Sequence, residues 1–220
     1  KGDSGMTKAV NESLTLTKNS VATARLGAEQ FSALASEFRD KIAFAQENKG
    51  GLEEVQSDLT RLVADMDAIM SQSTFNGDDL VNAGKKPVAG TAAGSEAVYA
   101  IDAEGVESTA TTSGAAAARE VVTGISRNAD GDLQTTKITV SPVDLNAQYE
   151  TFAAIAKDFE TRATSTDATG DTPPQIEGEK YLSNVLTLAD TATKASVDAA
   201  TSLGQSEKSI ERQQEFLTKL

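Results

Sequence analysis

NESLTLTKNSVATARLGAEQFSALASEFRDKIAFAQEN, residues 11–48, is the stretch on which the fold turns. Apolar and small residues fall at Val10, Leu14, Thr17, Val21, Ala24, Ala28, Phe31, Ala35, Phe38, Ile42 and Ala45. The spacing alternates four and three without a slip, which is a heptad seam. Leu26 and Leu34 widen the stripe, and no proline interrupts it. The pattern predicts one helix over 8–46. About 38 residues at 1.5 Å each would run about 57 Å. That exceeds an ordinary globular helix and argues for a rod.

Asn48-Lys49-Gly50-Gly51 ends the pattern. Two glycines are expected to take left-handed backbone and reverse the chain. A second seam comes next, at Leu52, Val55, Leu59, Leu62, Met66 and Ile69. It predicts a shorter helix over 52–71 that returns antiparallel to the first. A third seam closes the sequence: Leu182, Val185, Ala189, Ala192, Ser196, Ala199, Leu203, Ser206, Ile210, Gln213, Leu217, Leu220. Its middle is small, so neighbours can approach closely there. The three helices are expected side by side, the first and third against each other, with these seams as the rod core. The phase is intact at Leu220, and Lys1-Gly2 carries no start signal. Both ends therefore read as cuts inside longer helices, with the missing pieces at one end of the rod.

Between the seams the composition changes. Gly, Ala, Thr and Ser dominate 76–142. Two alternating segments, AVYAID (97–102) and QTTKITV (134–140), are read as strands, with turns at 103–105 and 128–131. ESTATTSGAAAA is read as a loop, with 115–120 as a candidate short helix. Leu145, Tyr149, Phe152, Ile155, Ala156 and Phe159 predict an amphipathic helix over 143–162, and 165–175 reads as a linker. The expected organisation is a half-rod over 1–82, an outer β-containing insertion over 83–142, a helix and linker over 143–175, and the last rod helix over 176–220. The expected class is mainly α, a long antiparallel helical rod packed like a coiled coil, with a small inserted outer domain.

Composition removes several functions. With aromatics at 5%, the 220-residue chain must build its core from Leu, Val, Ile and Ala. The net charge is −13 and no window clusters Lys and Arg, so nucleic acid and anionic membranes are poor partners. No apolar run reaches the ~18 residues of a membrane helix. There is no His and no Cys, which removes Ser-His and Cys-His triads, thiolate sites and the commonest metal ligand. Asp78-Asp79 and Glu53-Glu54 are paired acids whose side chains point apart rather than converge. Asp130-Gly131-Asp132 lacks the later ligands of a calcium loop and reads as a turn. No catalytic residue, metal ligand or cofactor is nominated.

One motif remains. The second helix runs into Gln72-Ser73-Thr74-Phe75-Asn76-Gly77, and Asp78-Asp79-Leu80-Val81 come after it. Asn76 and Gly77 suit a reversal, since both tolerate positive φ. With NESLTLTKNSVATARLGAEQFSALASEFRDKIAFAQEN (11–48), residues 59–70 and LADTATKASVDAATSLGQSEKSIERQQEFLTKL (188–220), this motif resembles bacterial flagellin, in particular the short flagellins of alphaproteobacteria. Flagellins carry Gln-x-x-Phe-Asn-Gly at the end of the second helix, and Leu203-Gly204 is similar to the family's Leu-Gly step. The resemblance covers about half the chain.

It implies a secreted, extracellular subunit of the flagellum. Its partners would be other copies of itself, an export chaperone, and cap and junction proteins. In that reading Phe75 plugs the end of the helix pair, and the second helix stops because the outer end of the rod lies there. Polymerisation would depend on segments beyond both ends, leaving this chain monomeric at micromolar concentration. Asp40-Lys41-Ile42 stands where many flagellins have Arg-Glu-Leu. Both charges are reversed, which argues against recognition by the innate immune receptor for flagellin. Two alternatives are the related hook–filament junction protein and a surface glycan-binding or adhesion module. The second would need an aromatic platform, and 76–142 holds only Tyr99.

Overall fold

The structure, a computed structural model, describes residues 2–75, 78–81, 99–108, 119–165 and 177–219. These are mainly helical, with a few short antiparallel strands. The first helix, α1 (Gly2–Glu47), extends the predicted pattern at its start. Every seam residue from Val10 to Ala45 is buried, because each lies on the one stripe that faces the other elements. Leu26 departs from expectation. It lies two residues past Ala24, on the far side of the helix, and is 51% exposed.

The reversal after α1 is a 3-10 turn, Lys49–Gly51. The amide and side-chain amide of Asn48 both donate to the Phe44 carbonyl, at 3.0 and 3.1 Å. Gly50 and Gly51 do not take left-handed backbone, since the only glycines with positive φ among the described residues are Gly105 and Gly131. Bonding three residues back turns the chain at negative φ instead. The second helix, α2 (Leu52–Gln72), opens with Glu53 and Glu54 at its positive dipole end. Leu52, Val55, Leu59, Leu62 and Met66 are buried. Ile69 is only partly so, and Met70 takes the last core place.

Residues 83–142 are described in two parts. The strands β1 (Ala100–Ile101) and β2 (Glu107–Ser108) pair antiparallel, as do β3 (Arg119–Arg127) and β4 (Leu133–Val140), the latter with a register shift between Val122 and Gly124. The two hairpins are separate sheets. β3 lies alongside α1, while β1 packs on the first helix after the insertion. Arg119 and Glu120 belong to β3, so the candidate helix over 115–120 gives way to strand there, and 115–118 lie outside the described residues. Both expected turns form. Asn128 Oδ1 accepts the amides of Asp130 and Asp132, and Asp102 Oδ1 those of Glu104 and Val106.

The expected helix over 143–162 is broken. α3 (Leu145–Ala156) is capped by the Asp144 side chain, which accepts from the Ala147 amide at 3.1 Å. It stops at Lys157-Asp158, where Asp158 adopts φ 58°, and α4 (Phe159–Ala163) begins immediately after. One side chain from α2 spans the break. Gln56 Nε2 donates to the Ala156 carbonyl at 2.5 Å, and Gln56 Oε1 accepts the Glu160 amide at 2.9 Å.

The last helix, α5 (Glu177–Lys219), lies antiparallel to α1. Lys49, Arg39, Arg25, Lys18 and Thr15 meet Glu179, Asp190, Glu207, Glu211 and Gln214, so one order rises as the other falls. Leu182, Val185, Leu203 and Ile210 are buried, and Leu217 is partly buried. α2 lies antiparallel to α1 as well, through Lys41 with Asp58 and Gly27 against Ser73.

The three long helices are not simply side by side, because α3 packs on both α2 and α5 and stands between them. Its Phe152 ring meets Phe38 edge-on at 4.9 Å and Phe31 at 6.2 Å. α2 is less than half the length of α1. α2 and α3 therefore flank α1 from about Gly27 onward, through Ser73 against Gly27, Asp58 with Lys41, and Phe152 on Phe31 and Phe38, whereas α5 follows α1 further back, to Thr15.

Candidate functional site

Phe75 ends its helix against the middle of α1. Its carbonyl accepts the Asp78 amide at 2.9 Å and lies 3.3 Å from the Ser20 hydroxyl. Ser20 Oγ also donates to Asp78 Oδ2 at 2.9 Å. Just before this, Ser73 sits so close to Gly27 that a methyl there would overlap Ser73 Oγ and come within 2.7 Å of its Cβ. The end of α2 thus lies about halfway along α1, not at the outer end of the bundle. The reason is length: 21 residues of α2 cannot reach past the midpoint of 46. Phe75 is half-buried rather than a sealed plug. Asn76 and Gly77 lie outside the described residues.

Leu80 and Val81 form a doorway. Both are buried, and their carbonyls accept the amides of Val143 and Leu145, each at 2.8 Å. The residues that follow α2 and those that lead into α3 are thereby joined at one place. The acids beside the motif are committed to this joint. Asp78 takes the Ser20 hydroxyl, and Asp79 Oδ1 accepts the Val81 amide at 3.2 Å. They do not converge on a common point. Among the described residues no group of His, Cys, Asp or Glu is arranged to hold a metal ion.

A second feature is the exposed flank of the α1–α5 pair. Four ion pairs cross it, and in each the cation comes from α1 or the turn that ends it and the acid from α5: Lys49–Glu179, Arg39–Asp190, Arg25–Glu207 and Lys18–Glu211. Glu207 and Glu29 hold the Arg25 guanidinium above its usual pKa through charged hydrogen bonds. Lys194 and Arg39 hold the Asp190 carboxyl below its usual range. Where the ladder skips, at Ser32, a groove of about 670 Å³ runs over Val197, Ala200 and Gly204. This site escapes sequence reading because its residues lie beside the seam rather than on it. The cation spacing 18, 25, 39 is the available signal.

Asp40 and Lys41 are spent on internal pairs, with Arg39 and Asp58, and Ile42 is buried. At the other end Arg162 Nη1 donates to the carbonyls of Ile101 and Asp102, fastening β1 to α4. Nearby the Tyr181 hydroxyl donates to the Ile155 carbonyl at 3.2 Å, and burial pushes its pKa up to about 12. No described helix is long and apolar enough to cross a membrane. Neither the known protein families nor the curated protein sequences offer a match to this chain.

Proposed function

We propose that this chain is a structural subunit of the bacterial flagellar filament, secreted and assembled outside the cell by packing alone, with no catalytic step. The observation that supports this best is the antiparallel α1–α5 seam. It joins residues 11–49 to 179–214, and its buried stripe holds no reactive group. The resemblance of 11–48, 72–77 and 188–220 to flagellin gives that seam its place, as the shell-forming rod of a filament subunit.

The mechanism is geometric. Helices of this length form a stiff body with several long faces. Heterologous contacts between different faces of successive copies propagate into a helical tube rather than closing into a ring. Other copies of the chain would be the principal partners. An export chaperone and cap and junction proteins rest on the resemblance alone.

Deleting the encoding gene should abolish filaments in electron micrographs, and restoring it should bring them back. A restored gene carrying Leu14→Asp, which places a charge in the seam, should fail to do so. Filaments unchanged by the deletion would overturn the reading. Scarcity of the chain in sheared filaments would favour the junction protein instead.

A further inference from the structure

α2 leaves mostly acids outside, with Arg61 the exception, and α5 leaves a line of lysines, with Asp198 beside it and Lys180 paired to Glu104. On α2, Glu53, Glu54, Asp65 and Asp67 are exposed. None of them is ion-paired among the described residues, whereas Asp58 is shared between Lys41 and Arg61. On α5 the outermost line reads Lys180, Thr187, Lys194, Thr201, Lys208, one residue per heptad, and its lysines are exposed. Lys194 shares Asp190 with Arg39, and Lys208 has no ion pair among the described residues. The two faces cannot neutralise each other within one molecule, because α3 stands between α2 and α5.

Their spacings match. Glu53 and Asp67 are fourteen residues apart at one heptad position, and so are Lys194 and Lys208. Fourteen residues of helix span about 21 Å. Two helices laid side by side would therefore bring both charge pairs into register together.

We propose that the acidic outer face of α2 in one copy docks on the lysine line of α5 in a second copy. The contact deepens the filament reading and rests on it for its setting. It is heterologous, since each copy keeps an unused α2 face and an unused α5 face, so it repeats without closing. Its strength comes from opposed charges at an exposed surface, which salt screens over about 10 Å at 0.1 M.

The test is sedimentation of the purified chain at millimolar concentration, in about 20 mM and about 300 mM salt, between which the Debye length falls from about 20 Å to about 6 Å. Self-association should be present in the first buffer and weaker by about tenfold or more in the second. Glu53→Lys with Asp67→Lys, or Lys194→Glu with Lys208→Glu, should each leave a monomer with unchanged circular dichroism. Mixing the two variants should restore association, since the reversed faces then complement each other. A wild-type chain that stays monomeric at low salt, variants that still associate, or a mixture that does not recover would each overturn the contact. The filament reading is separable: it stands or falls on filament loss in the deletion strain, whatever the sedimentation shows.

Discussion

Phe152 is the residue through which α3 enters the bundle, and replacing it by Ala isolates that packing. The ring is fully buried and meets Phe38 at 4.9 Å with planes at 60°, and Phe31 at 6.2 Å with planes at 56°. Removing a buried phenyl costs about 3–5 kcal/mol from lost transfer energy and the cavity left behind. Each aromatic pairing accounts for roughly 0.5–1.5 kcal/mol of such a loss. The upper half of the range is expected, because three long helices surround the site and cannot all collapse inward. In a chain of this size each kcal/mol moves the thermal midpoint by about 2–4 °C, so a drop of roughly 8–20 °C should appear in far-ultraviolet circular dichroism. Urea denaturation should show a lower midpoint at unchanged slope. Phe44 is the control: it is 53% exposed, and Phe44→Ala should stay within about 0.5 kcal/mol of wild type. If Phe152→Ala were no worse than Phe44→Ala, α3 would not occupy the place between α2 and α5.

Gly27→Ala should cost about 1–3 kcal/mol by overpacking against Ser73, and Ser73→Gly in the same chain should recover most of it in denaturant titration. Gln56→Ala strips both the Ala156 carbonyl and the Glu160 amide of their partner, so a loss of about 1–3 kcal/mol is expected, with faster hydrogen exchange at Glu160. Tyr181 favours its protonated form in the folded state, with a pKa of about 12 against an ordinary 10.0. Its contribution is therefore complete below pH 10 and is lost as pH rises from 10 to 12, by up to about 2.7 kcal/mol at 1.36 kcal/mol per unit. Tyr181→Phe should flatten that fall in a denaturation series across those pH values, and an unchanged slope would count against burial as its cause. Hydrogen exchange should be slower at amides 28–42, flanked by three helices, than at 10–21, and equal protection would contradict that difference in packing.

The seams are legible because burial in a long helix repeats at one period, and Val10, Phe31, Leu59 and Leu203 each sit on it. What a period cannot carry is the partner. Phe152 advertises an apolar face on α3, yet nothing in the spacing says that the face lies between α2 and α5. The break at Asp158 has no Pro or Gly to announce it. It is made by Gln56, a hundred residues earlier in the chain, which supplies what the interrupted helix lacks. Gly27 looks like an indifferent residue in a helix until Ser73 is placed against it. β3 is hidden although Val121, Val122, Thr123 and Ile125 are strand formers, because the low-complexity run before it suggests loop and helix. Phe75 looks like an outer end only when the residues after Gly51 are counted alone. Comparing 21 residues with 46 puts it midway.

A heptad seam also leaves the pairing itself ambiguous, since α1 could in principle bury its stripe against a second α1. The charges beside the seam decide against that. Lys18, Arg25 and Arg39 lie on one flank of α1 at heptad spacing, with Lys49 beyond them, and two such flanks facing each other would set cation against cation. α5 answers with Glu211, Glu207, Asp190 and Glu179. Each exposed pair contributes little, about 0.2–1 kcal/mol, and the buried stripe supplies most of the stability. The ladder's effect is on choice of partner: like charges in the wrong pairing repel at every step, so small terms of one sign accumulate. In the proposed filament, where copies would be crowded together, keeping the cations on one helix and the acids that meet them on another would disfavour pairing of α1 with α1.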